Sequence, residues 1–279
     1  DQDRITTCLR KPDNSPTAVL KAINNLHERG GIIGGTSAGA AVQSEIMILG
    51  GSSPEALRIG LGEEYPGTKA QEFGALHLGK GFGFFDKGVI DQHFERKARL
   101  GRLVVSVMAN KENFPFGFGI DEDTALFYSK SKEMAKVIGT GTVTVMNMKD
   151  AQVENNKWKG IRISVLGADD TIRWPGPTLV PAEYKKETVG HEYLEIENAN
   201  AIGPFSPYGG RLEDILGFRL LDNRSTKTVN SEIHHLDGTK QKVRFTQDAK
   251  SKGYWSANDG ELDRYTALDV ILEIDSPIQ

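Results

Sequence analysis

The chain has 279 residues, 38% of them hydrophobic and 26% charged, with a formal net charge of -4 and one cysteine. This is the composition of a folded globular protein, not a disordered one, and the mild acidity argues against general nucleic-acid binding. A single cysteine excludes an intrachain disulfide framework, no apolar run is long enough to read as a membrane span, and the length fits one large domain or two smaller ones.

In chain order, Ser15-Pro16 is expected to open a helix with Val19, Leu20, Ile23 and Leu26 on one face, closed by Gly30-Gly31. Gly31-Ile32-Ile33 then reads as a strand, Gly34 to Ala40 as a glycine-rich turn, and Ala41 to Met47 as a helix. Gly35-x-Ser37-x-Gly39 between strand and helix is the sequence form of a nucleophile elbow. The residues flanking the serine must be small because the chain reverses sharply. The turn pushes Oγ into solvent, and the Ala38 N–H at the head of the helix is placed to stabilise an oxyanion. A plain strand-to-helix turn has the same spelling, so the serine needs a base and an acid to mean chemistry.

The segment from Gly50 to about Gly83 reads as loop-rich with a short helix. Val89-Ile90 forms a short strand leading into Asp91-Gln92-His93-Phe94, and a basic helix is expected from Glu95 to Val105. Of six histidines, His93 alone stands at a strand's C-terminal end, where open α/β sheets place functional groups. His234 and His235 are adjacent and point to opposite faces of a strand, and no Cys/His cluster has zinc-like spacing. Phe116 to Ile120 reads as a strand, followed by Asp121-Glu122-Asp123 and a second strand from Thr124 to Tyr128. One of those carboxylates is a candidate to orient His93.

Later strands are expected at Val137-Ile138-Gly139, Val143 to Met146 and Ile161 to Leu166. The texture then changes. Breaker clusters stand at Trp174 to Pro177 and Pro204 to Gly210. A short helix is expected at Leu212 to Leu221, with strands at Thr228 to Asn230, Lys242 to Phe245 and Val270 to Ile274. Residues 171–279 are therefore read as a C-terminal extension or small domain, mixed or mostly β. It is expected to cover the cleft, mediate dimers or bind polymer. Tyr254, Trp255 and Tyr265 fit core packing better than ligand stacking.

Three motifs in order, Gly-Thr-Ser-Ala-Gly-Ala, Asp-Gln-His-Phe with Arg-Leu-Gly-Arg, and Gly-Ile-Asp-Glu-Asp-Thr-Ala, make residues 1–170 resemble the cyanophycinases. These are serine peptidases related to the bacterial aspartyl dipeptidases. The resemblance implies the class I glutamine amidotransferase-like fold, an α/β doubly wound and mostly parallel sheet. Several of its strands would precede Asp1, because Asp1-Gln2-Asp3 reads like the middle of a domain. It implies Ser37 as nucleophile, His93 as base and Glu122 as acid. Gln2, Asp91, Gln92, Arg99 and Arg102 match substrate-site residues, and Lys97 stands where the family has arginine, keeping the charge and losing the planar fork.

The implied activity is hydrolysis of cyanophycin, a poly-aspartate carrying arginine on each β-carboxylate, to β-Asp-Arg dipeptides through an acyl-enzyme. A second oxyanion donor comes in the family from a Gly-Gly turn that would precede Gln2. No cofactor and no metal are implied. The expected partner is a peptide or polypeptide substrate, with no nucleic acid or membrane and with a homodimer in view, and the setting favoured is cytoplasmic.

On a helix, Arg96, Arg99 and Arg102 would share a face able to pair with carboxylates. Another isopeptidase or aspartyl dipeptidase with the same triad remains open, as does an inactive binding relative. An esterase reading would complete Ser37 and His93 with Glu63, Glu64 or Asp86. Cys8, the lone cysteine, is read as a structural or incidental thiol.

Overall fold

The computed structural model describes residues 1–155, 157–201, 203–206, 209–257 and 263–275. Of the expected Pro204 to Gly210 breaker run, Pro207 and Tyr208 lie outside them. The described chain is mixed α/β and dominated by one large sheet.

Helix α1 (Gln2–Leu9) is capped by Asp1, whose carboxylate accepts from Asp3 N. Helix α2 (Ala18–Glu28) is capped by Thr17, so it begins later than the expected Ser15-Pro16 start, and Pro16 instead bridges to Arg10. Residues Gly31 to Gly35 pair with no strand among the described residues, where a strand was expected. Helix α3 (Ala38–Ala41) is a single turn, and strand β1 (Ile46–Gly50) follows. Of the expected helix Ala41 to Met47 only Ala41 is helical, and Ile46 and Met47 open β1: Met47 and Ile48 are almost wholly buried, and a buried Ile-Met-Ile-Leu run suits a central strand.

The segment after β1 holds helix α4 (Ser53–Ile59) and strand β2 (His77–Lys80), which pairs antiparallel with β1. Strand β3 (Val89–Gln92), helix α5 (Leu100–Asn110) and strand β4 (Phe116–Ile120) form a crossover unit. In α5, Leu100, Leu103, Val104 and Val107 fall at helical spacing and are buried. They pack with Ala56 and Leu57 of α4.

Strands β5 (Thr124–Ser129) and β6 (Met134–Gly139) form a hairpin. Strand β7 (Val143–Asn147) returns to the large sheet, followed by β8 (Gln152–Glu154) and β9 (Lys157–Leu166). Strands β10 (Thr171–Arg173) and β11 (Thr178–Val180) join β6 and β5 in a small four-stranded sheet. Strand β12 (Lys186–Glu187) precedes a π-helix over Glu213–Leu221, where an ordinary short helix was expected. The chain then makes β13 (Thr228–His234), β14 (Lys240–Thr246), β15 (Lys252–Ser256) and β16 (Arg264–Asp275).

The large sheet runs β12-β15-β16-β9-β7-β4-β3-β1-β2, with β13 and β14 extending from β16 and β8 from β9. Among the described strands, parallel pairing is confined to β1–β3 and β3–β4, where a mostly parallel order was expected. The reason is connectivity. Parallel neighbours need a crossover, and α5 supplies one between β3 and β4, whereas a short turn links antiparallel β13 to β14. Ile163 of β9 pairs with Val270 of β16, so the last strand lies in the middle of the sheet. One apolar cluster joins Val89, Leu103 and Val107 to Ile161, Leu216 and Leu272.

Candidate active site

The site forms where β3 and β4 end together. Their parallel register sets Asp91 opposite Gly119 and Gln92 opposite Ile120. The residues that follow, His93 on one chain and Asp121 to Asp123 on the other, therefore emerge side by side at the C-terminal edge of the parallel pair. The Phe-Gly-Phe-Gly spelling of β4 contributes directly. A Cβ on Gly119 would lie 2.4 Å from the ring of Phe94, so only glycine lets that buried ring lie on the strand. Phe94 N also donates to Ile120 O at 3.2 Å. His93 is held between them with a left-handed φ of 49°.

Ser37 arrives from a separate turn with φ of 53°, a conformation that a non-glycine residue holds at a cost of order 1–3 kcal/mol. Gly35 is required there, since a Cβ would come within 2.0 Å of Gly39 O. Gly39 N donates to Thr36 O at 2.8 Å and closes the turn. Ser37 is exposed, and Ala38 begins α3 immediately after it.

Three side chains then fall in line. Ser37 Oγ is 3.0 Å from His93 Nε2, and His93 Nδ1 is 2.6 Å from Glu122 Oε1. Arg96 Nη1 donates to the other carboxylate oxygen, Glu122 Oε2, at 2.7 Å. Arg96 first, and His93 second, hold the Glu122 carboxyl below the usual carboxylate range. The imidazole tautomer that donates Nδ1–H to Glu122 leaves Nε2 free of hydrogen and able to accept the Ser37 proton. The carboxylate partner of His93 is thus Glu122. Asp86 is engaged elsewhere, with Lys87 at 3.4 Å and the Tyr128 hydroxyl at 3.4 Å.

A second charged group lies beneath this line. Asp91 is 1% exposed and receives both Nε and Nη2 of Arg102, at 2.6 and 2.5 Å. Arg102 is equally buried and also donates to Gly51 O at 3.1 Å. Arg99, 2% exposed, donates to Gln92 O and to Glu72 Oε1. Burial first, and the neighbouring Arg102 second, pull the Arg99 guanidinium below its ordinary value. Lys97 shares the same Glu72 oxygen at 2.7 Å. Burial pushes Glu72 up, but Arg99, Lys97 and Arg102 outweigh it and leave the carboxyl below its ordinary value.

This corrects the expected arginine stripe. Helix α5 starts only at Leu100, and residues 94–98 form turns. Arg96 is 65% exposed at its side chain, Arg99 and Arg102 only 2%. The latter two turn inward because buried Asp91 demands a cationic partner. Gln2 is also interior: its amide donates to Ile48 O and Leu49 O at 2.8 and 2.9 Å, tying α1 to β1. Gln92 is 5% exposed. Of the residues matched to substrate contacts, Lys97 keeps the most exposed side chain, at 39%.

Glu72, Glu95 and Arg211 had no sequence signal, and Asp121, one of the candidate carboxylates for His93, lines the neighbouring cleft instead. Glu72, from the segment between β1 and β3, joins Lys97 to Arg99. Glu95 and Asp121 line a cleft of about 300 Å³ with Arg96, Glu122, the Thr140-Gly141 turn and Gly209 to Arg211. Asp121 Oδ1 accepts from Glu95 N at 3.0 Å and Oδ2 from the Thr142 hydroxyl at 2.6 Å. The Glu95 carboxylate accepts from Arg211 Nε at 3.2 Å and Leu212 N at 2.7 Å. Burial, then Asp121, push the Glu95 carboxyl up to about 7. The late segment around Arg211 is thereby tied to the turn that carries His93. Adjacency of these residues is a product of long-range folding that no local spacing encodes.

Among the described residues, no group of three or more His, Cys, Asp or Glu is arranged to hold a metal ion, and no helix is long and apolar enough to cross a membrane. Cys8 is an exposed free thiol on α1. Tyr265 is buried and donates to Asp222 Oδ2 at 3.0 Å, a core role.

No family model matches the chain. Curated proteins named cyanophycinase do match it. One from Synechococcus elongatus is 33% identical over 155 residues, covering 56% of this chain and 42% of that protein. One from Trichormus variabilis is 30% identical over 182 residues, covering 61% and 55%, and one from Geminocystis herdmanii is 37% identical over 147 residues, covering 50% and 48%. The chain spans about half the length of the curated relatives it matches. Its resemblance to the cyanophycinases, read from three ordered motifs, is thus a property of the sequence over half its length or more.

Proposed function

We propose that this chain, similar in sequence to the cyanophycinases, is a serine-type peptidase that cleaves a cyanophycin-like polymer to β-Asp-Arg dipeptides. The observation that carries the reading is the unbroken line from Ser37 through His93 to Glu122, at 3.0 and 2.6 Å, in a chain with that kinship. The strained turn at Ser37 is read as a nucleophile elbow, and β1, β3 and β4 as the parallel part of a doubly wound frame. Residues 1–170 supply the reacting groups, and residues 171–279 an extension that lends Gly209 to Arg211 to the neighbouring cleft.

In the reaction, His93 Nε2 takes the Ser37 proton as Oγ attacks the scissile carbonyl. Glu122 accepts Nδ1–H, fixes the tautomer and stabilises the imidazolium that forms. The Ala38 N–H meets the oxyanion, a contact of the kind typically worth ~3 kcal/mol of barrier. His93 then protonates the leaving amine, and water attacks the acyl-enzyme with His93 again as base. Lys97 is the substrate-facing cation that meets a carboxylate. Asp91, Gln92, Arg99 and Arg102 act one layer deeper, holding β3 against α5 so that His93 stays in line, while Gln2 ties α1 to β1.

The test is hydrolysis of purified cyanophycin by the wild-type chain and by Ser37→Ala, followed by mass detection of β-Asp-Arg. Release by the wild type alone supports both nucleophile and substrate. No release from a chain whose Ser37 still reacts with a fluorophosphonate would overturn the substrate and leave another isopeptidase with the same triad. No release and no reaction would favour an inactive binding relative.

A further inference from the structure

We infer that Arg96 is a positioning residue for the acid of the relay, holding Glu122 in the one rotamer that keeps His93 aimed at Ser37. The inference rests on the proposed serine chemistry and goes beyond it. Neither the relay expected from the sequence nor the similarity to other proteins assigns Arg96 this role.

The argument begins with Glu122 itself. A glutamate reaches through three rotatable bonds, and this side chain is 32% exposed, so water competes for both carboxylate oxygens. His93 Nδ1 takes Oε1 at 2.6 Å, and the hydrogen-bond partner of Oε2 is Arg96 Nη1 at 2.7 Å. Arg96 is 65% exposed, so it contributes little burial to the fold, and the contact is a charge-assisted hydrogen bond.

Arg96 is able to act this way because it belongs to the same turn as His93. That turn is fixed at several points. Phe94 N donates to Ile120 O at 3.2 Å, Glu95 N to Asp121 Oδ1 at 3.0 Å, and Lys97 N to His93 O at 3.1 Å. Imidazole and guanidinium leave the backbone three residues apart and grip the two oxygens of one carboxylate. The other charged groups lining the cleft with Glu122 are Glu95, Asp121 and Arg211, and Asp123 follows it in the chain. Arg96 offsets part of this negative charge, so the relay acid stays ionised without over-stabilising the imidazolium.

Two consequences separate positioning from a merely structural role. Without the guanidinium, Glu122 samples other rotamers and the rate falls. The imidazolium also keeps a larger share of the carboxylate charge, so a higher pH is needed to free the base. Both effects act on the rate constant of the attacking serine and not on substrate affinity.

The experiment measures second-order inactivation of the full chain by a fluorophosphonate from pH 5 to 9, with Ser37→Ala as the blank. Arg96→Gln is expected to slow inactivation at pH 7 by about 10–100-fold, the loss that a displacement of about 1 Å costs an aligned group. Its acid limb is expected to move to higher pH by roughly half a unit to one unit. Arg96→Lys keeps the charge and should restore the acid limb and most of the rate, with thermal unfolding of both variants close to wild type.

An Arg96→Gln chain that matches wild type in rate and acid limb overturns the inference. So does a lysine variant as impaired as the glutamine one in both readouts. A wild-type chain that does not react at Ser37 removes the proposed chemistry first, and Arg96's role with it.

Discussion

Asp91 and His93 stand two residues apart at the end of the same strand, yet one is sealed and the other open. Asp91 is 1% exposed and bound by both arms of Arg102. His93 has 29% of its side chain exposed and lies between a serine hydroxyl and a carboxylate. Upper line and lower knot are built from the same residue types, acids and bases at hydrogen-bond distance. What separates them is solvent. In the knot every charge is spent on another charge, so its function is to fix the frame. In the line, Ser37 Oγ and Glu122 remain reachable, as the proposed serine chemistry requires.

The sharpest way to break the contrast is Ser37→Ala. It should abolish dipeptide release, a loss of about 10⁴-fold or more, while stability changes by less than about 0.5 kcal/mol because the side chain is exposed. Activity assay and chemical denaturation on the same sample would check this. Arg102→Ala should do the reverse. It strands Asp91 as a buried lone charge and should cost about 3–5 kcal/mol of stability, read from the denaturation midpoint.

The pH dependence sharpens the comparison further. Glu95, on the boundary between line and cleft, has its carboxyl pushed up to about 7 by burial and then by Asp121. A group raised in the folded state binds more protons there than in the unfolded chain. Its contribution to stability is complete below about pH 4 and is lost as pH rises through about 7. The loss is on the order of 3 kcal/mol at most. Denaturation at pH 5 and pH 7.5 should show the wild type weaker at the higher pH. Glu95→Gln should flatten that difference, leaving the part due to Asp121, which burial also raises. The smallest effect is expected for Lys97→Ala, whose exposed pair with Glu72 should be worth less than about 1 kcal/mol in stability. Its consequence, if Lys97 meets substrate carboxylate, is a higher KM with kcat little changed.

The same contrast shows how much could be read from the sequence. Ser37, His93 and Glu122 each sit in a local motif ending at a turn, and local motifs are visible in a string of letters. That their ends converge within hydrogen-bond reach follows from the parallel register of β3 and β4 and from the fold around Ser37. The Phe-Gly-Phe-Gly spelling was legible as a strand but not as the bed for Phe94. Arg96, Arg99 and Arg102 read as one helix face able to pair with carboxylates, because periodicity says nothing of where a helix starts or which carboxylate is buried. Ile46 and Met47 close a run that reads as helix, and tertiary burial makes them the start of β1. The pairing of β9 with β16 joins residues about a hundred positions apart, which no window of sequence contains.

The most direct test of the central account is covalent. The full chain is treated with a fluorophosphonate and its intact mass measured, with peptide mapping, beside Ser37→Ala and His93→Ala. The account predicts one adduct per wild-type chain, located on Ser37, with none on Ser37→Ala and a strongly slowed reaction for His93→Ala. An unmodified wild type, or an adduct that persists when Ser37 is replaced, would contradict it.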